Sequence, residues 1–276
     1  MNRRQIEEVI GLIKSLKGII PDEEIVSRFE QKILSLKNAE LCYWFAKNVE
    51  GSNILKHANV VVKSRNPELN YDFARDIEIS DVNVHGNVVI ESNDLELNYM
   101  FARDVKNSDV KRHGDVIINS KNLEWNYHFA KDIEGSDVKA HGNVIIESKD
   151  PEWNYRFAKD VKGSDVKAHG NVVIESKYLG LNYLFAKDVE KADVLSHGNV
   201  ILESMEPEWN YKFKMNVKGS DEKAHEQILV GDKKSKFNYN DEENIKNCKG
   251  YVNLLDNYLD DAIASLEKDA SKSMTK

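Results

Sequence analysis

The chain has 276 residues, of which 31% are charged, and its formal net charge is −8. No apolar run approaches the roughly 18 residues of a membrane-spanning helix, so we expect no membrane association. Two cysteines in unrelated contexts, Cys42 and Cys248, indicate no disulfide framework.

The chain opens with MNRRQIEEVIGLIK, in which Glu7 and Glu8 interrupt what a signal peptide would keep apolar. We therefore expect a cytoplasmic protein. Apolar periodicity over residues 2–19 and 22–35 predicts a helical cap, and we assign residues 1–35 to an N-terminal cap domain.

A 28-residue pattern then recurs seven times without a gap. It occupies residues 36–63, 64–91, 92–119, 120–147, 148–175, 176–203 and 204–231.

Each copy predicts two short helices. In 148–175, Asp150 is placed to cap the first helix and Pro151 to begin it. Gly163 is a helix-ending residue, and Ser164 or Asp165 is placed to cap the second helix. Helices of this length are unstable alone, so neighbouring copies must stack. The fold class is therefore all-α, and we predict a right-handed α-solenoid of seven two-helix repeats with helical caps.

An α/β alternative stays open at this point. Gly170 is followed by the apolar run Val172–Ile174, which could form a strand. One strand and one helix per copy would build an α/β horseshoe. The run does not alternate between apolar and polar residues, and the chain lacks the leucine spacing that is typical of horseshoe repeats. These two observations favour the helix pair.

The unit DPEWNYRFAKDVKGSDVKAHGNVVIES resembles tandem helical repeats of phage and bacterial proteins that share D-P-E, F-A-x-D-V, G-x-D-V and a V-I pair. The resemblance covers residues 36–231 and implies the α-solenoid class, together with the TPR and HEAT arrays. It brings no established activity. It also implies that the partner could be a host or defence protein that the chain inhibits by sequestration.

Two polar residue types recur at fixed positions within the repeat. The histidines are His57, His85, His113, His141, His169, His197 and His225, and the asparagines are Asn70, Asn98, Asn126, Asn154, Asn182 and Asn210. Packed helices lie about 8–10 Å apart, too far for equivalent histidines to share one metal ion, so we expect no metal site. We interpret both sets as a buried, hydrogen-bonded structural ladder. The alternative is a groove in which the imidazoles bind a ligand.

One position between the recurrent tyrosine and phenylalanine carries a different residue in every copy. We call it the variable position; it holds Trp44, Asp72, Met100, His128, Arg156, Leu184 and Lys212. Helical spacing places it on an outward face with Glu152, Lys159 and Asp160. It is either a solvated position that drifts freely or a row of partner-binding contacts.

The last copy departs from the pattern at Lys214, Glu222 and Glu226. Residues 232–276 follow as a linker and a predicted amphipathic cap helix, YVNLLDNYLDDAIASLE. We assign them to a C-terminal domain.

No catalytic or cofactor-binding motif occurs in the chain, so we expect neither an enzyme nor a cofactor. The first hypothesis is a non-catalytic scaffold that binds a protein partner along its repeats. The second is a nucleic-acid or nucleotide-binding array that uses lysines such as Lys111, Lys139, Lys167 and Lys223. The mixed charge of the middle disfavours it. The third is a structural protein that assembles end to end, which a mass measurement in solution would test.

Overall fold

The computed structural model describes residues 3–15, 23–78 and 81–231, and within these ranges the chain forms helices and no strand. The helices are α1 (Arg3–Ser15), α2 (Glu23–Ser35), α3 (Ala39–Asn48), α4 (Ile54–Lys63), α5 (Pro67–Asp76), α6 (Asn83–Ser92), α7 (Leu95–Asp104), α8 (Val110–Ser120), α9 (Leu123–Asp132), α10 (Val138–Ser148), α11 (Pro151–Asp160), α12 (Val166–Ser176), α13 (Leu179–Asp188), α14 (Val194–Ser204), α15 (Pro207–Asn216) and α16 (Glu222–Gly231). The predicted C-terminal domain, 232–276, lies outside the described residues, and so does Cys248.

From α3 onward the helices alternate between two roles. We call the odd-numbered ones, α3 to α15, first helices and the even-numbered ones, α4 to α16, second helices. The chain forms two compact units, Met1–His141 and Gly142–Lys276, and their boundary lies within α10. Inside each unit a first helix packs against the second helix that follows it and against the next first helix. Each unit is thus built by consecutive packing of helix pairs.

The capping signals of residues 148–175 act as predicted. The Asp150 carboxylate accepts hydrogen bonds from the backbone N–H groups of Glu152 and Trp153, and Pro151 is the first residue of α11. Gly163 adopts a left-handed backbone with φ +86°. Of the two cap candidates for α12, Asp165 is the one used, because its side chain accepts from the Ala168 N–H.

The α/β horseshoe alternative is wrong for the described chain. Residues 170–174 lie inside α12, and their exposure follows a helical period. Val172 and Val173 are buried, whereas Asn171 is exposed. The β-branched run is therefore the buried face of a short helix, which packing stabilises against its low intrinsic helix propensity.

The helix α2 keeps the register of the second helices. It is followed by Lys37 in a left-handed conformation with φ 50°, and Arg65 and Asn93 hold the same conformation one and two periods later. Ile33 of α2 is buried, as Val61 is one period on. The 28-residue register therefore begins earlier than the predicted boundary at residue 36, and the preceding helix α1 packs against α3.

Searched over its described residues, the chain has no helix that is long and apolar enough to cross a membrane.

Candidate functional site

Buried histidine–asparagine pairs link the two helices of a repeat. In the first unit the pairs are Asn70–His85, Asn98–His113 and Asn126–His141, and in the second they are Asn154–His169, Asn182–His197 and Asn210–His225. The distance from histidine Nδ1 to asparagine Oδ1 is 2.7–2.8 Å in all six. The side chains are excluded from solvent.

Each of these asparagines also bonds to the preceding repeat. Asn154 Nδ2 donates to the Ile145 carbonyl, at 2.9 Å, and to the Asp150 carbonyl, at 2.7 Å. The amide hydrogens are thereby used, so Oδ1 is the acceptor and His169 Nδ1 carries the proton. Each histidine–asparagine hydrogen bond therefore lies within one repeat, and the asparagine amide connects that repeat to a backbone carbonyl of the preceding one. The side chains do not form one continuous chain of hydrogen bonds.

In five of the six pairs the other ring nitrogen of the histidine is buried without a hydrogen bond. The Nε2 atoms of His85, His141, His169, His197 and His225 have no hydrogen-bonding partner among the residues that the structure describes. Each ring packs against the phenylalanine of its own repeat with centroids 4.6–5.0 Å apart. Burial lowers the pKa to about 4 for His85, His113, His141, His169 and His197. These five histidines are therefore neutral at physiological pH.

The glycine after the histidine makes room for the next repeat. A Cβ at Gly114 would lie 3.1 Å from Phe129 Cε1 and 3.4 Å from His141 Nε2. Glycine therefore allows the ring pair of one repeat to lie directly against the second helix of the repeat before it. Ala58 holds this position in the first repeat, so the fit tolerates one methyl group there.

The first repeat has no asparagine to pair with its histidine, His57. Cys42 replaces the asparagine, and its buried thiol has a pKa raised to about 12 by burial and by the negative charge of Glu30. The buried Glu30 carboxylate lies 3.3 Å from His57 Nε2 and accepts the Asn53 N–H at 2.5 Å. A carboxylate of α2 thus lies beside the opposite ring nitrogen, and His57 Nδ1 has no hydrogen-bond partner among the described residues.

Consecutive first helices are joined by a second hydrogen bond. The tyrosine hydroxyl donates to the aspartate 33 residues later at 2.6–2.9 Å, in the pairs Tyr43–Asp76, Tyr71–Asp104, Tyr99–Asp132 and Tyr155–Asp188. A lysine or arginine four residues after the tyrosine lies over its ring, as Arg75 does over Tyr71 at 4.8 Å. These contacts explain why tyrosine, basic residue and aspartate recur together.

The variable position is not the outward position that helical spacing indicated. Trp44, Asp72, Met100, His128 and Arg156 are half-buried, and Leu184 and Lys212 are buried. Glu152, Lys159 and Asp160 are exposed, as predicted.

Three variable residues occur together with a tryptophan three positions earlier. The sequences EWNYHF, EWNYRF and EWNYKF place a basic or imidazole group after Trp125, Trp153 and Trp209, whereas copies with leucine there carry Trp44, Asp72, Met100 or Leu184. The Lys212 ammonium lies 4.4 Å from the Trp209 ring centroid and 2.8 Å from Glu208. Arg156 stacks at 5.1 Å on Trp153 and bonds Glu152. This pairing of tryptophan with a basic or imidazole side chain is visible in the sequence.

An acidic cleft opens between α3 and α5 in the first unit. It encloses about 330 Å³, and its lining holds three carboxylates, two aromatic rings and no basic side chain: Glu40, Tyr43, Trp44, Asn66, Glu68, Leu69 and Asp72. Burial raises the pKa of Asp72, although Arg75 lies 2.8 Å away. The Trp44 ring already holds one cation, since the Lys14 ammonium of α1 lies 3.7 Å from its centroid. Lys47 of α3 lies 5.4 Å from the same centroid, so basic side chains of the chain itself already surround this cleft.

An aromatic patch occupies the start of α13 in the second unit. Tyr178 stands where five other repeats have a capping asparagine or aspartate and the last has Glu206, which also makes no cap; Tyr178 is 62% exposed and makes no side-chain cap. Gly180 replaces the first-turn glutamate, and a Cβ there would be 3.5 Å from Trp209 and 3.6 Å from Tyr178. We call Tyr178, Gly180 and Trp209 the Tyr178 patch. Sequence analysis missed it because only the variable position was compared between copies.

The lysines of the second helices lie at the surface. Lys111 is paired with Asp115 at 2.8 Å, and Lys139, Lys167 and Lys223 are exposed near aspartate caps. Within residues 3–15, 23–78 and 81–231, no three histidine, cysteine, aspartate or glutamate side chains are grouped to hold a metal ion.

Compared with protein-family models, with curated proteins and with solved structures, the chain matches none. Its own side chains therefore carry the functional inference.

Proposed function

We propose that this chain is a non-catalytic scaffold, a right-handed α-solenoid of seven two-helix repeats, that binds a protein partner through its first helices. The observation that carries the proposal is the Tyr178 patch. At residues 178 and 180 the repeat gives up a helix cap and a first-turn acid, each favourable for stability. It gains an exposed tyrosine beside Trp209.

A local sequence that weakens its own helix is expected where a surface has been adapted for binding. Losing a side-chain cap costs about 0.5–2 kcal/mol, and glycine in a helix costs up to about 1 kcal/mol. Exposed tyrosine and tryptophan are the residues that dominate protein–protein binding energy. The frame of histidine, asparagine, phenylalanine and glycine then serves to present this surface.

The test restores the repeat's own sequence. The double substitution Tyr178→Asp and Gly180→Glu supplies the missing cap and the missing acid, so we expect the thermal midpoint to rise. We expect recovery of protein partners from an extract of the native host to fall by about tenfold or more, the loss typical of an aromatic hot spot.

The matched control is Leu195→Ser, which removes an exposed apolar side chain from the second helix α14. It should leave recovery unchanged. If the consensus variant recovers the same partners as the wild type, the Tyr178 patch is not a binding surface and the proposal fails. Because that variant is expected to be more stable, misfolding cannot imitate the result.

The nucleic-acid alternative has less to support it. The Lys111–Asp115 pair already neutralises one of its lysines. Binding through phosphates would weaken steeply and linearly with the logarithm of salt concentration. A protein interface centred on tyrosine and tryptophan should depend weakly on salt.

A further inference from the structure

We propose that residues 232–245, which lie outside the described residues, are an incomplete eighth copy of the repeat that docks on the exposed face of α15 and α16. The occupant of this face is thus a segment of the chain itself, taken from the predicted linker. The inference is independent of the Tyr178 patch and of any partner that the patch binds.

The first step is the exposed face at the end of α15 and α16. The recurrent tyrosine of the first helix is buried in all six earlier copies, whereas Tyr211 is half-buried. The apolar residue seven positions after the glycine or alanine at the start of the second helix's buried face is not needed here; its counterpart near the helix end, Leu229, is half-buried, whereas the equivalent residue is fully buried in all six earlier copies. Both positions therefore lose cover at the same end of the second unit.

The second step is a hydrogen bond whose spacing continues beyond α16. In all six earlier copies the carbonyl at the position of Leu229 accepts from an asparagine nine residues later, as Val173 does from Asn182. Nine residues after Leu229 the chain carries Asn238. The sequence FNY of residues 237–239 thus stands where WNY stands at residues 209–211. Asn238 has the amide that the Leu229 carbonyl would need.

The tyrosine bond between first helices continues at the same register. The tyrosine hydroxyl donates to a side chain 33 residues later, as Tyr155 does to Asp188 at 2.8 Å. The same spacing leads from Tyr211 to Asn244, whose side-chain oxygen is also an acceptor. Ile245 then follows at the position that Val or Ile holds in every earlier copy. Two independent spacings therefore place the same segment on the same face.

The third step accounts for departures of the last copy from the pattern. Gly198 makes room for the next copy, since a Cβ there would lie 3.1 Å from Phe213 Cε1. At the end of the array Glu226 replaces this glycine, and Asp241 stands where the next phenylalanine would be. Lys214 replaces the neighbouring alanine, and its ammonium lies 3.4 Å from the Glu226 carboxylate. A charged cluster thus replaces the close ring contact, and Lys214 supplies the cation that Asp241 would need. Atypical terminal copies of this kind close repeat arrays.

The first test locates the segment in the full-length chain. Tyr211 is replaced by the photoreactive amino acid p-benzoylphenylalanine, and mass spectrometry identifies the cross-linked peptides after digestion with trypsin. We expect a cross-link within one chain to the peptide of residues 237–246. The same replacement at Tyr155 is the matched control, because its partner Asp188 lies among the described residues.

The second test measures the asparagine bond by hydrogen exchange. In the variant Asn238→Ala, we expect the backbone hydrogens of residues 237–245 to exchange about tenfold faster or more, because the helix loses its bond to the Leu229 carbonyl. The control Asn240→Ala makes the same change at the variable position, which holds seven different residues in the array. It should change exchange by less than about twofold. Unchanged exchange in α11 reports that the array stays folded in each variant.

Three results would overturn the inference. The first is a cross-link from position 211 that joins only different chains, which would make a second copy the occupant of the face. The second is a control cross-link at Tyr155 without one from position 211 to residues 237–246. The third is equal acceleration of exchange by Asn238→Ala and Asn240→Ala. None of these results bears on partner recovery by the Tyr178 variant.

Discussion

Mild acid should unfold this protein, because its buried histidines cannot accept protons without leaving the core. In the folded chain His85, His113, His141, His169 and His197 have a pKa of about 4, lowered mainly by burial. In the unfolded chain the pKa returns to about 6.5. Between these two pKa values the unfolded state therefore binds more protons than the folded state. The contribution of the histidines to the free energy of unfolding is fully present above pH 6.5 and is lost as the pH falls towards 4.

The size of the effect follows from the number of histidines. Each pKa unit is worth about 1.4 kcal/mol per group, so one histidine costs about 2 kcal/mol at pH 5. Three of the five lie in the first unit and two in the second, which gives losses of about 6 and about 4 kcal/mol. A domain has only about 5–15 kcal/mol of stability in total. We expect unfolding to begin near pH 5.

Urea titrations followed by far-ultraviolet circular dichroism would measure the free energy of unfolding at pH 7, 6, 5.5 and 5. The substitution His169→Gln should reduce the pH slope by about 1.4 kcal/mol per unit in this range, whatever it does to stability at pH 7. A free energy of unfolding that stays constant from pH 7 to pH 5 would refute the reasoning. So would an unaltered slope in the variant.

Three other expectations concern the frame, and urea or thermal unfolding checks each. Lys177→Gly should stabilise by about 1 kcal/mol, because Lys177 is held at φ 54°. Lys167→Gly, inside the same helix, should destabilise the protein by about 1 kcal/mol. Stability changes of the same sign in the two variants would contradict both expectations. Asn154→Ala should cost about 3 kcal/mol, because it removes three hydrogen bonds and leaves His169 Nδ1 buried without an acceptor. As a control, substitution of the exposed Asn171 by alanine should cost under about 0.5 kcal/mol. An equal loss of stability in the two variants would show that the Asn154–His169 pair does not stabilise the fold. Tyr155→Phe should cost about 1 kcal/mol through the lost bond to the next first helix, and no loss would make that bond dispensable.

Local signals in the sequence predicted the helices well. Asp150, Pro151, Gly163 and Asp165 each act within a few residues of their own position, so capping chemistry could place the ends of α11 and α12. The strand alternative arose from Val172–Ile174, because β-branched residues favour strands. In the folded chain this weak preference is outweighed by the burial of Val172 and Val173 on one face of α12.

The candidate sites depend on specific side-chain contacts, within one helix and between helices, which the spacing of apolar residues does not specify. Helical periodicity put Arg156 on the outward face, yet stacking on Trp153 leaves only 13% of its side chain exposed. The contact of Lys14 with Trp44 joins α1 to α3 and has no local signature. Burial of the histidines was predictable from the apolar face they share, whereas the placement of Glu30 beside His57 was not.

The asparagine bond to the preceding repeat has a consequence for how such a gene can change in length. Within the first unit, Asn98 donates to the Val89 carbonyl and Asn126 to the Ile117 carbonyl, in the same geometry. Deleting residues 92–119 would bring Asn126 to the Val89 carbonyl, an acceptor of the same kind. Recombination between copies can therefore add or remove whole repeats without creating a mismatched junction. Any loss or gain that is not a multiple of 28 residues would leave a buried amide facing the wrong group.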